Sequence, residues 1–291
     1  MPDVLENGSK LLKINEETYN RMDRMQKCAF MLDMDFYVFS EVIYQLISQK
    51  DVYNPLNVIS GILVGELNEA SLIDAINKFL DNPRELSRMD RMITYATDNG
   101  VYSFYFIPNF DPSRINDEYG FTIDQVFYKV KSNELIDTTG RGLKDFTSLP
   151  IIIKSTSSTD RWTEQTLLMF VYKIGILYDS EIDEDDFRAL QEKDFKKPPN
   201  LHLLLRLNRP GTSIKVLMSL CPQASIWLFD MVIRLVGQWG VKLKENIRPS
   251  QVFTDEKLKL LDLYSDYFNS SGSPSEKRNR DRIIAKLLVD I

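Results

Sequence analysis

Residues 196–248 constrain this chain more than any other stretch. The segment KKPPNLHLLLRLNRPGTSIKVLMSLCPQASIWLFDMVIRLVGQWGVKLKENIR is both its most apolar long run and its most basic. Nine Lys and Arg stand there against Asp230 and Glu245, a net of +7, while the whole chain is at −6, so the remainder carries −13. So many large aliphatic residues have to be folded into a core. Pro198-Pro199 and Arg209-Pro210-Gly211 interrupt the run before any piece could span a bilayer. Thr212 and Ser213 offer caps for IKVLMSLC and Ser225 for IWLFDMVIRLVGQWG, so the stretch reads as three helices.

The preceding chain is punctuated by the same logic. Asn20 can cap a long helix through RMDRMQKCAFMLDMDFYVFSEVIYQLISQK, in which Met31, Met34, Val38, Val42 and Leu46 approximate one helical face, with a break near Asp33–Asp35. A second helix is expected from Asn68 to Asn82-Pro83. MITYATDNGVYSFYFIPNF reads as a β-hairpin, because Asp98-Asn99-Gly100 tolerates positive φ where the chain must reverse. Residues 120–131 fit either strand or helix, and Leu149–Ser155 reads as a short buried strand. Asp160 is placed to cap a core helix through WTEQTLLMFVYKIGILY. Residues 179–194 gather eight acidic side chains, which a solvated helix face explains. Thr254-Asp255-Glu256 opens another helix, with its acids at the end the helix dipole favours.

The resulting fold expectation is a mainly α-helical protein with a small β-hairpin element near residues 92–107, arranged in two lobes. The expected divisions are an arm at 1–20, a mixed lobe at 21–155, a helical lobe at 156–268 beyond the polar connector STSSTD, and a linker with a terminal helix at 269–291. The linker NSSGSPS frees an amphipathic helix whose Ile283, Ile284, Leu287, Leu288 and Ile291 lie along one side. Five large aliphatics call for cover, so an oligomer contact with a neighbouring subunit is expected, with folding back onto the same chain as the other route.

No familiar catalytic or cofactor pattern emerges. Two cysteines, Cys28 and Cys221, lie too far apart for a short-spaced metal or redox pair, which suits a reducing compartment. His202, the sole histidine, sits among leucines without a recognisable nucleophile beside it. The glycines of Thr139-Gly140-Arg141-Gly142 lack the Lys-Ser/Thr that completes a phosphate loop, and no dinucleotide fingerprint occurs. Neither cofactor nor metal is therefore expected, and the N-terminal residues carry no apolar run of signal-peptide length, which leaves cytosol or nucleus.

Function is read from the basic stretch. Arg206, Arg209, Lys215, Arg234, Lys242, Lys244 and Arg248 supply phosphate attraction, and Trp227 and Trp239 supply stacking faces, the two ingredients of single-strand nucleic-acid grooves. The leading expectation is a self-assembling, non-enzymatic RNA-binding protein of the coat or nucleoprotein kind, as in viral structural proteins. An acidic helical adaptor for a protein partner stands beside it, and an enzyme of unrecognised type comes third.

Overall fold

The structure is a computed structural model that describes residues 16–39, 42–44, 58–111, 120–132, 134–177, 179–206, 209–238, 248–269 and 282–289. The chain divides into two compact units, Met1–Ser157 and Ser158–Ile291. No helix among the described residues is long and apolar enough to cross a membrane.

The first unit is built on a sheet, which overturns the mainly α-helical expectation. Its strands are β1 Asp35–Val38, β2 Val58–Val64, β3 Arg84–Met89, β4 Met92–Thr97, β5 Gly100–Ile107, β6 Val126–Lys129 and β7 Glu134–Asp137. They form one seven-stranded mixed sheet in the order β3-β4-β5-β2-β1-β6-β7. β2 runs parallel to β5 and antiparallel to β1, and the other neighbours are antiparallel. The expected hairpin is present as β4–β5, with Gly100 at φ 117° where it turns.

The long first helix is shorter than its periodicity predicts. Helix α1, Glu16–Met31, ends where Asp33 takes a left-handed φ of 55°, and Phe36, Tyr37 and Val38 then extend into β1. Met34 and Val38 fit a helical spacing, yet aromatic and β-branched neighbours pack better on a pleated surface that other strands complete. Helix α2, Glu69–Phe79, starts as expected: Asn68 accepts a hydrogen bond from the Ser71 amide at 3.0 Å. Its apolar residues Leu72, Ala75 and Ile76 are buried.

One face of the sheet is closed by α1. A Cβ on Gly61 would lie 2.3 Å from the Phe36 ring and 3.0 Å from the Met25 methyl, so the bare glycine lets this layer seat against β2. Arg21 of α1 donates to the Val101 carbonyl at 2.6 Å and lies over the Tyr102 ring at 4.9 Å. The Cys28 thiol reaches the Ala75 carbonyl at 3.7 Å, joining α1 to α2. A short helix α3, Gly142–Thr147, and strand β8, Ile151–Ile153, complete this unit.

The second unit is helical: α4 Glu164–Ile176, strand β9 Ser180–Ile182, α5 Glu184–Glu192, α6 Pro210–Leu220, α7 Ala224–Gln238, α8 Pro249–Val252 and α9 Asp255–Asn269. Asp160 lies in a single 3₁₀ turn, and Thr163 rather than Asp160 caps α4. α6 is the hub, packing against α4, α5, α7 and α9. Its N-terminus is tied to α9 by Asp262, which accepts from the Gly211 amide at 2.7 Å, the Thr212 amide at 3.0 Å and the Thr212 hydroxyl at 2.6 Å. The crossing is so close that a Cβ on Gly211 would sit 1.8 Å from the Leu258 carbonyl oxygen.

The terminal helix, residues 282–289, packs within its own chain. Ile284, Leu287 and Leu288 are buried, Ile283 is half-buried and Ile291 lies outside the described residues. The buried Lys257 of α9 donates to the carbonyls of Gln251 and Leu288, each at 2.9 Å. The helix just before the linker therefore receives the terminal one, contrary to the expected docking elsewhere.

Two measurements check this architecture. Gly211→Ala is expected to destabilise the chain in urea by about 1 to 3 kcal/mol, because backbone must move to admit one methyl. Gly237→Ala, on α7 with open space around it, is expected to be neutral or to stabilise by up to about 1 kcal/mol. Burial pushes the Cys28 thiol up to about 12 and raises that of Cys221, which disfavours the reactive thiolate at both, and both side chains are shut away from solvent. A disulfide reagent is therefore expected to modify both cysteines only after denaturation.

Candidate functional site on the sheet

The pleat sends alternate residues to opposite faces, so strand register decides which side chains meet. On the face opposite Gly61, register aligns Ser87 of β3, Thr94 of β4, Ser103 of β5 and Ser60 of β2 in one row of hydroxyls. Thr94 and Ser103 share a hydrogen bond of 3.1 Å. The adjacent row runs Met92, Tyr105, Ile62, Tyr37, Lys129 and Glu134 across β4, β5, β2, β1, β6 and β7.

Aromatic rings stand over this second row. Phe110 stacks on Tyr37 at 4.3 Å between centroids and 6° between planes, and it meets Phe127 edge-on at 5.4 Å. Phe39 meets Tyr105 edge-on at 5.5 Å. Tyr37, Phe39, Ile62 and Phe127 are buried there, while Val64, Tyr105, Ile107, Phe110 and Ile136 remain partly exposed around them. Lys129 Nζ donates to Asp35 at 2.8 Å and lies 5.4 Å from the Tyr37 ring centroid. The Asp35 hydrogen bond holds the Lys129 ammonium above the ordinary lysine pKa. The face thus carries a buried pair of hydroxyls in Thr94 and Ser103, the half-buried Ser60 and exposed Ser87 hydroxyls, the partly exposed rings of Tyr105 and Phe110, and a Lys129 ammonium already matched by Asp35.

A second polar cluster in the same unit is structural. Asp137 accepts from the Thr139 amide at 3.0 Å and the Leu143 amide at 2.9 Å, and the Thr139 hydroxyl accepts from the amides of Arg141 and Gly142 at 3.1 and 2.9 Å. Amides that a phosphate loop would turn to its ligand are here satisfied by the chain's own oxygens. Arg141 Nε reaches both oxygens of Asp145 at 2.9 Å, and Asp145 also accepts from Thr122 at 2.6 Å.

The described residues of the basic stretch differ in their surroundings. Lys215 pairs with Asp255 at 2.8 Å, and Lys196 pairs with Asp194. Arg209 and Trp227 are half-buried. Arg234 on α7 is exposed, as is Arg248, whose amide donates to Gln251 at 2.8 Å at the start of α8. The Arg206 side chain, Trp239, Lys242 and Lys244 lie outside the described residues. His202 is exposed on a 3₁₀ turn rather than lodged among the leucines. The face with the hydroxyl row was missed. Its signal is the alternation in VISGILV and GVYSFYFI, which places Ser60 and Ser103 among apolar residues.

An antiparallel-edged mixed sheet with helices on one face, followed by a helical unit, defines an α/β class. Solved structures similar to this chain fall in it. The CCA-adding enzyme of Thermotoga maritima complexed with tRNA CCA matches with TM-score 0.56 and 17% identity, covering 94% of this chain and 63% of that one. A CCA-adding enzyme in complex with CTP matches with TM-score 0.57 and 17% identity over 94% and 63%. One with ATP matches with TM-score 0.56 and 13% identity over 94% and 79%. The chain thus spans just under two thirds of the length of the first two of these enzymes. No protein-family model and no curated protein sequence matches it.

At this identity the likeness is one of fold. It overturns the coat, nucleoprotein and viral structural readings, and the helical fold given to the adaptor, because the α/β fold of these structures extends over nearly the whole chain. The Thr94–Ser103 contact gives a local test. Thr94→Val and Ser103→Ala are each expected to cost about 1 kcal/mol, and the double replacement less than their sum. A double-mutant cycle in urea measures that coupling.

Proposed function

We propose that this chain binds tRNA, or an RNA folded like tRNA, on the scaffold it shares with the CCA-adding enzymes. The observation that carries the reading is the extent of the likeness: 94% of the chain follows an enzyme complexed with tRNA CCA. The sheet face supports it chemically. RNA is recognised through stacking of splayed bases on aromatic rings and through hydrogen bonds that use the 2′-hydroxyl, and Tyr105, Ser60, Ser87 and their neighbours are groups of these kinds. Arg234 and Arg248 on the second unit add exposed cations for phosphates. A compartment that contains RNA and keeps Cys28 and Cys221 reduced, the cytosol or nucleus, suits this reading.

The test is a mobility-shift titration with intact tRNA, the same sequence as unstructured fragments, and a DNA duplex. Tighter binding to folded tRNA is the expected result, with affinity falling as salt rises. Arg234→Gln and Arg248→Gln together are expected to reduce the slope of log K against log salt by about 1 for each phosphate that the wild-type arginines neutralise. Equal binding to all three nucleic acids, or none at low salt, refutes the proposal.

A further inference from the structure

The words CCA-adding describe nucleotide addition, a phosphoryl-group transfer. Enzymes commonly serve such displacements with divalent ions about 3.5 to 4 Å apart, held by carboxylates that converge on them. Magnesium in particular dehydrates reluctantly and is bound through carboxylates together with substrate phosphates. The fold family therefore implies a metal site, and the side chains on this chain's sheet do not fit one.

Two carboxylates lie on this face beside Tyr37: Asp35, matched to the Lys129 ammonium at 2.8 Å, and Glu134, exposed on the edge strand β7, where it accepts from the Ser132 hydroxyl at 2.7 Å. Across the hydroxyl row, the groups that could face an ion are the neutral oxygens of Ser60, Ser87, Thr94 and Ser103. Val58, Ile62 and Val64 fill the other positions of β2 on that face. Two divalent ions would bring four positive charges together, and neutral hydroxyls cannot offset that repulsion. The buried carboxylates nearby are committed elsewhere: Asp124 accepts from Tyr44 at 2.6 Å, and Asp145 from Thr122 and Arg141. Among the described residues, no group of three or more His, Cys, Asp or Glu is placed to hold a metal ion.

We infer that this sheet face does not add nucleotides to RNA: hydroxyl and aliphatic side chains occupy the strand positions from which metal-holding carboxylates would have to converge. The inference takes its substrate class from the RNA reading above. That RNA would be held on this face by rings and hydroxyls, and its 3′ end would leave unextended.

The experiment uses the full chain with tRNA lacking its terminal CCA, labelled CTP and ATP, and Mg²⁺. Incorporation of label and the mobility shift are read on the same samples. In parallel, Mn²⁺ is titrated into the protein and the free-ion signal is followed by electron paramagnetic resonance. A shifted tRNA without label, and an undiminished Mn²⁺ signal, is the expected outcome. Val58→Asp with Ser60→Asp puts two carboxylates on half-exposed positions of one face, two residues apart on β2. This variant is expected to remove free Mn²⁺ where the wild type does not. Label incorporated by the wild type, or loss of free Mn²⁺ signal with it, overturns the inference while leaving the RNA reading standing. An unshifted tRNA with no label and no Mn²⁺ binding removes the RNA reading and leaves the metal-free face.

Discussion

The contact of α1 with β2 at Gly61 is the constraint on which the first unit depends. β2 lies between β1 and β5 at the middle of the sheet, and its pairing with β5 is the parallel one in an otherwise antiparallel array. A parallel neighbour cannot be reached by a hairpin, so the chain between β2 and β5 must leave the sheet and return. It leaves through α2, re-enters at the edge as β3 and reaches β5 by way of β4, and α2 is held against α1 through Cys28 and Ala75. With the Phe36 ring of β1 and the Met25 methyl of α1 both packed over a residue that has no side chain, this layer fixes which face of β2 is inside. By the pleat alone, it also fixes that Ser60, Ile62 and Val64 face the other way.

What was legible in the sequence was local. Asn68 and the Asp98-Asn99-Gly100 turn each announce an element through chemistry confined to a few residues, and each element is found, whereas α6, expected to be capped by Thr212 or Ser213, starts at Pro210 after Arg209. The sheet was not legible because its defining pairs are distant: Ser60 with Ser103, Tyr37 with Lys129. Ser60-Gly61 resembles a breaker in isolation, whereas the glycine is required by the Phe36 ring of β1, with Met25 of α1 beside it. β3, RELSRM, is exposed throughout and has no hydrophobic alternation to betray it as an edge strand.

The site was obscured for a related reason. A row of hydroxyls drawn from four strands leaves one small polar residue in each segment, which no motif search collects. The basic stretch gave the opposite error. Net charge counts every lysine equally, but Lys196 and Lys215 are answered by Asp194 and Asp255, one nearby in sequence and one brought by α9. Charge summed along a segment is a statement about composition, and a binding surface is a statement about which charges the fold leaves unmatched.

Lys257 has a bearing on how the chain comes into being. Its ammonium links the end of α8 to the carbonyl of Leu288, and residues 284–289 supply much of the cover over that part of the second unit. During synthesis, α9 emerges before the segment that caps it. The first unit has all the strands of its sheet by residue 137 and can assemble while the ribosome is still at work. The second cannot make the Lys257–Leu288 hydrogen bond or bury Ile284, Leu287 and Leu288 until the last of these residues has been added. Vectorial synthesis therefore completes the sheet of the first unit before the contacts that close the second.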